Sequence, residues 1–210
     1  MANTFAPFGF RQFGQREGTA PTAGLDRLLL LSSDTNSYFT GDTVVISSQS
    51  LVAGYITLPT SGTLSPPLQG VFLGCEYYSG TVGRVVWNSY FPASVGSSSP
   101  CNAYVCTNPQ QLYTVQGTTT AVLGTSCIGL NVGVASSLQT TGNTLNGISG
   151  LALNSSTVSA NSSLPFRIVD VYANYAPPGT NGTSSGSEAA QIMVVQANNW
   201  ARNNLTAQST

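Results

Sequence analysis

The stretch CIGLNVGVA, Cys127 to Ala135, alternates strictly: Ile128, Leu130, Val132 and Val134 are apolar, while Gly129, Asn131 and Gly133 between them are small or polar. A period of two places one set on each face of an extended chain, so the segment reads as a half-buried strand. Comparable short runs of Val, Ile, Leu and Tyr recur along the 210 residues, separated by clusters of Gly, Pro, Ser, Thr and Asn. No stretch sustains the 3.6-residue period of an amphipathic helix. The pattern predicts an all-β fold, either an antiparallel β-barrel or a jelly-roll-like sandwich.

Besides Cys127 to Ala135, strands are expected at Arg27 to Leu31, Thr43 to Ser47, Leu51 to Leu58, Gly70 to Cys75, Val82 to Tyr90, Ala103 to Thr107, Leu112 to Gln116, Phe166 to Tyr172 and Ala190 to Gln196. In AAQIMVVQA the run Ile192 to Val195 is apolar on both faces, which predicts a strand buried in the body or covered by a second subunit. Pro59 to Leu68, Ser94 to Pro100, Ser136 to Gly150 and Ala176 to Ser187 read as surface loops. The last, APPGTNGTSSGS, has the highest density of breaker residues. The expected organisation is an extended N-terminal arm over residues 1–24, one β-domain over 25–199 and a C-terminal tail over 200–210.

Charge narrows the function. Charged residues make up 6% of the chain, with six Arg, seven acids, no Lys and no His, against about 25% in an average soluble domain. A net charge of −1 provides no electrostatic footprint for nucleic acid and no polybasic patch for a membrane. The longest purely aliphatic run, Leu28 to Leu31, is far short of the roughly 20 residues that span a bilayer. About a quarter of the residues are Ser or Thr, so hydroxyls and amides are expected to cover the surface. Such an exterior suits a protein packed against neighbours at fixed stoichiometry.

The N-terminus carries the densest aromatic segment. ANTFAPFGFRQF, Ala2 to Phe13, holds Phe5, Phe8, Phe10 and Phe13 among Pro7, Gly9 and Arg11. Those interruptions exclude the unbroken apolar core of an export signal, and Pro7 and Gly9 exclude a helix interior. Strand alternation keeps only Phe8 and Phe10 on one face. Burying the phenylalanines falls short of the entropy lost in ordering the segment, so backbone hydrogen bonds must also hold it. They come from its own body or from another chain.

Catalytic equipment is sparse. GTSSG, Gly182 to Gly186, matches the G-x-S-x-G expression with Ser184 at the nucleophile position. A nucleophile elbow needs a strand-to-helix turn and a base, and this chain has neither His nor Lys. Asp26, Asp34 and Asp42 fall near expected turns, where carboxylates bond to nearby backbone N–H groups. Cys75, Cys101, Cys106 and Cys127 contain no C-x-x-C spacing, which argues against a zinc site. They read as buried free thiols, with a Cys101 to Cys106 disulfide as the alternative. Sequons at Asn154, Asn161, Asn181 and Asn204 reflect the abundance of Asn, Ser and Thr. Tyr77, Tyr78, Trp87, Tyr90 and Phe91 are the candidates for an aromatic binding surface, with core packing the competing use of the same residues.

Several segments together resemble a known family. ANTFAPFGFR resembles the start of small capsid-associated proteins of tailed bacteriophages, in which Ala-Asn-Thr and then Ala-Pro-Phe-Gly-Phe-Arg begin the chain. YFTGDTVVI, Tyr38 to Ile46, is similar to the family's Gly-Asp-x-Val segment. GVFLGCEYYSGTVGRVVWNSYFPA, Gly70 to Ala93, is similar to its Gly-Val-Phe-x-Gly-Cys segment ending in aromatic-Pro-Ala. AYVCTNPQQLYTVQ, Ala103 to Gln116, resembles its Ala-Tyr-Val, Asn/Asp-Pro, Val-Gln block, and LPFRIVDVY, Leu164 to Tyr172, resembles a late strand with a basic residue inside it. The chain departs from the pattern in lacking an acid beside Asn108-Pro109, in its low charge and in its tail NNWARNNLTAQST.

The resemblance implies a capsid decoration, or cement, protein that is not an enzyme and uses no cofactor or metal. It would rest on the outer face of the major capsid protein after assembly in the host cytoplasm and lock neighbouring capsomers. The expected partners are the major capsid protein and further copies of the chain, a trimer favoured over a dimer, without nucleic acid or membrane. Phe5, Pro7, Phe8, Phe10, Arg11 and Phe13 are the expected capsid contacts. A glycan-binding adhesin or fibre module, stacking sugars on Tyr77, Tyr78 and Trp87, is the alternative.

Overall fold

The computed structural model describes residues 5–16, 18, 24–46, 54–59, 68–93, 95, 101–171 and 191–198. The loop Ala176 to Ser187 with its GTSSG sequence, the tail 200–210, Trp200 and the sequons at Asn181 and Asn204 lie outside them, as do most of the Pro59 to Leu68 and Ser94 to Pro100 loops. The described chain is all-β. Its strands are β1 (Arg11–Gln15), β2 (Asp26–Leu30), β3 (Tyr38–Phe39), β4 (Thr43–Ile46), β5 (Tyr55–Thr57), β6 (Gly70–Ser79), β7 (Arg84–Asn88), β8 (Tyr90–Phe91), β9 (Cys101–Cys106), β10 (Gln111–Gln116), β11 (Asn131–Val134), β12 (Gly142–Asn143), β13 (Ile148–Ser149), β14 (Leu153–Ser159), β15 (Phe166–Val171) and β16 (Ile192–Ala197). Two single-turn 3-10 helices, Thr125–Cys127 and Ser136–Leu138, are the only helical elements among the described residues.

Two larger sheets organise the body. One runs β4-β5-β2-β9-β6-β7, and an added β4–β6 pairing closes its first five strands into a barrel, leaving β7 as an appended edge. The barrel is mixed rather than purely antiparallel, because β2 and β5 pair in parallel. The chain between them, through β3 and β4, is long enough for the crossover that a parallel pair requires. The other sheet runs β1-β10-β16-β15-β11-β14. It curls until Gly117, just past β10, bridges Leu153 at the start of β14.

Each sheet encloses apolar side chains, and β6 and β9 form the wall between them. Phe72, Cys75, Ala103 and Val105 point into the barrel core with Leu30, Tyr38, Val44, Ile56 and Phe91. Val71 and Cys106 point the other way, into the core shared with Tyr113, Val132, Phe166, Ile168, Met193 and Val195. Neighbouring residues on a strand thus serve different cores, as period-two geometry demands. A register shift between Phe72 and Gly74 then changes what the outer face meets. Before it, Val71 and Leu73 pack on the second sheet; after it, Glu76 and Tyr78 point away from the barrel.

Several expectations are refined. The strand beginning at Cys127 starts only at Asn131, because Thr125–Cys127 is a 3-10 turn. β16 lies between β10 and β15 and is buried by its own chain. The expected loop Ser136 to Gly150 contains a 3-10 turn and the β12–β13 hairpin, whose Ser149 is buried. β14, with sequence LNSSTVS, had no alternation to announce it; it pairs with β11, and its Thr157 hydroxyl accepts the Gly133 N–H (2.9 Å).

Candidate functional site

The N-terminal segment enters the body at two glycines. Gly9 N–H donates to the Leu151 carbonyl (3.2 Å), and Phe10 N–H donates to the Gly41 carbonyl (3.0 Å). Both glycines have positive φ, +69° at Gly9 and +100° at Gly41. A Cβ on Gly9 would stand 2.7 Å from Ser149 Cβ, and one on Gly41 would stand 2.9 Å from Phe10 N. A side chain at either position would oppose both the backbone conformation and the crossing.

Asp42 fastens the two segments that receive this arm. Its carboxylate accepts Phe39 N–H (2.7 Å) and the Ser149 hydroxyl (2.5 Å), and Ser149 Oγ in turn accepts Leu151 N–H (2.9 Å). Gly41 N–H donates to the Phe72 carbonyl, and Phe72 N–H donates to the Asp42 carbonyl, each at 2.8 Å. Burial outweighs the two hydrogen bonds that favour the charged form and pushes the Asp42 carboxyl up to about 7.

The expected contact residues separate along this path. Phe10 is fully buried, stacked on Phe166 at 4.3 Å and edge-on to Tyr113 at 6.2 Å. It is a core residue of its own body and has no surface to offer a partner. Phe5 and Phe13 are 38% and 50% exposed. Pro7 and Phe8 are half-buried, and the exposed Arg11 guanidinium lies 5.4 Å from the Phe8 ring centroid. Beyond Phe10 the chain becomes β1 and pairs with β10, which supplies the backbone hydrogen bonds that burial alone could not replace.

The second aromatic segment divides in the same way. Tyr77 and Phe91 belong to the barrel core and meet edge-on at 5.9 Å, while Tyr90 stacks on Phe39 at 5.7 Å. Tyr78, Val85 and Trp87 face outward, Val85 and Trp87 being 64% and 63% exposed. On the β6–β7 hairpin Glu76 stands opposite Trp87 and Tyr78 opposite Val85. Gly74 makes room for the indole: a Cβ there would lie 2.8 Å from Trp87 Cζ2. The ring therefore lies across β6 instead of standing off it.

Further across the barrel, Tyr104 of β9 stands opposite Gly74 and Arg27 of β2 stands opposite Tyr104. Tyr104 O–H donates to the Glu76 carboxylate, which raises the phenol above its ordinary pKa, while Arg27 opposes that rise. Trp87, Glu76, Tyr104 and Arg27 thus form one continuous outward surface. Trp87 and Tyr78 are expected from the sequence; Glu76, Tyr104 and Arg27 are not, because they become neighbours only through strand pairing.

The remaining candidates have structural uses. Asp34 accepts Asn36 N–H (2.9 Å) and Nδ2–H (3.0 Å) and the Tyr38 hydroxyl, an Asx-type turn. Asp26 lies within β2 and not in a turn, accepting the Thr107 hydroxyl. None of the four cysteines is in a disulfide. Cys101 and Cys106 sit on β9 but serve opposite cores, which prevents a bond between them, and burial pushes the Cys75 thiol up to about 12. Among the described residues no three His, Cys, Asp or Glu gather to hold a metal. No protein-family model, curated protein or solved structure matches the chain.

Proposed function

We propose that the protein is a virion structural protein that decorates the outer face of a bacteriophage capsid. One observation carries this reading: segments that resemble the decoration family in sequence are immediate neighbours in space. Phe10 of the first stacks on Phe166 of the last. Phe10 also bonds to Gly41 of the Gly-Asp segment, and Gly41 and Asp42 bond to Phe72 of the Gly-Val-Phe segment. Ala6 N–H reaches Gln116 of the Val-Gln block (2.9 Å). The resemblance therefore falls on residues that build one junction, where a shared fold would constrain them.

In this reading Phe5, Phe8, Arg11 and Phe13 are the capsid contacts, held near the surface by the buried Phe10. Individual contacts can be weak, because copies bound to a repeating lattice gain avidity once one end is attached. Further copies of the chain are the second partner. The test adds purified protein to capsids assembled without it and measures co-sedimentation. A Phe5→Ala/Phe13→Ala double variant should fold normally and lose decoration; equal binding by the variant would overturn the contact assignment, and failure of the unaltered chain to bind would overturn the function. Copies found on tail fibres would favour an adhesin.

A further inference from the structure

We propose that the outward face of the barrel is a binding site for neutral saccharides, with the Trp87 indole as its stacking surface and Glu76, Tyr104 and Arg27 as its hydrogen-bonding rim. This goes beyond capsid attachment and does not rest on it, since the purified chain suffices for the test.

The shape of the site follows from Gly74. With no side chain at that position, the indole reaches over Gly74 of β6, and much of the residue stays open to solvent. A saccharide ring presents C–H groups on one face and hydroxyls around its edge, so it complements a flat aromatic surface bordered by polar groups. Here the border has both kinds of partner. Glu76 accepts, the Arg27 guanidinium donates, and the Tyr104 phenol can do either.

Charge selects the ligand class. Glu76 and Arg27 balance each other across Tyr104, whose hydroxyl already bonds to Glu76 and whose titration feels both. A rim with one acid and one base has no excess charge with which to attract an anionic or cationic ligand, whereas a neutral polyol uses both. Tyr78 and Val85 continue the exposed surface along the hairpin, extending the platform for a second sugar unit.

The experiment titrates the full chain carrying Trp200→Phe, so that Trp87 is the single tryptophan and its fluorescence reports the site directly. The probes are maltohexaose, cellohexaose and chitohexaose, with a sulfated and a sialylated oligosaccharide for comparison. At least one neutral probe should shift the Trp87 emission saturably. Gly74→Ala, which keeps the indole but lifts it from the sheet, and Glu76→Gln should each weaken that binding several-fold. Trp87→Ala, followed calorimetrically because its fluorescence is gone, should weaken it at least tenfold with an unchanged circular dichroism spectrum. Absence of binding by all neutral probes, stronger binding of the charged ones, binding indifferent to Trp87→Ala, or concentration-dependent self-association abolished by Trp87→Ala would each overturn the proposal.

Discussion

Phe10 and Trp87 are large aromatic residues associated with glycine, and they end in opposite surroundings. At Phe10 the glycines are positive-φ crossings that let the backbone pass beneath Ser149 and Gly41, carrying the ring into the core against Phe166. At Trp87 the glycine lies beneath the side chain, giving the indole a floor while its other side stays open. The first arrangement makes a terminal segment part of the body. The second presents aromatic surface without ordering any additional chain. Glycine beside an aromatic residue therefore has two readings, and strand pairing decides between them.

The contrast predicts unequal mutational effects. Phe10→Ala removes a fully buried ring packed against Tyr113 of β10 and Phe166 of β15, and should lower unfolding stability by about 3–5 kcal/mol, read by urea denaturation. A loss under 1 kcal/mol would mean that the arm is not anchored in the core.

Asp42→Asn should act through pH. The folded-state carboxyl titrates near 7, above the ordinary value of 3.8, so the native protein retains a proton that the unfolded chain has lost. Stability from this group therefore falls as pH rises from about 4 to about 7, by an amount on the order of 4 kcal/mol. The Asn variant should lose that slope and exceed the unaltered protein in stability at pH 8. Parallel pH profiles for the two proteins would show that Asp42 is not held neutral by burial.

Gly9→Ala comes next, at roughly 2 kcal/mol, because alanine at φ +69° is strained and its Cβ meets Ser149. Amide exchange over residues 9–16 should accelerate with it. The smallest stability effect belongs to Trp87→Ala, within about 0.5 kcal/mol, since an exposed side chain can be removed without leaving a cavity. A large loss there would make Trp87 a structural residue and erase the contrast with Phe10.

The strands were legible where side-chain chemistry reported burial. β10 and β16 carry apolar residues at the spacing their surroundings require, and both were visible in the sequence. β14 was not, because LNSSTVS lies at a sheet edge where hydroxyls replace apolar packing. β1 could be seen as extended but not as paired, since its partner β10 lies a hundred residues further along the chain. The adjacent Tyr77 and Tyr78 had to face opposite ways. Which one faced the core was fixed by the register shift between Phe72 and Gly74, a feature of backbone pairing that no local composition announces. The Glu76, Tyr104 and Arg27 rim was hidden for the same reason: its members come from three strands.

In the proposed assembly the chain sits on a capsid by its arm and leaves its open barrel face to solvent. A cryo-EM map of capsids containing the protein tests it most directly. Density is expected on the outer shell, with Phe5, Phe8, Arg11 and Phe13 against the major capsid protein and Trp87 facing outward. A shell without this density, or Trp87 buried against the capsid protein, would contradict it.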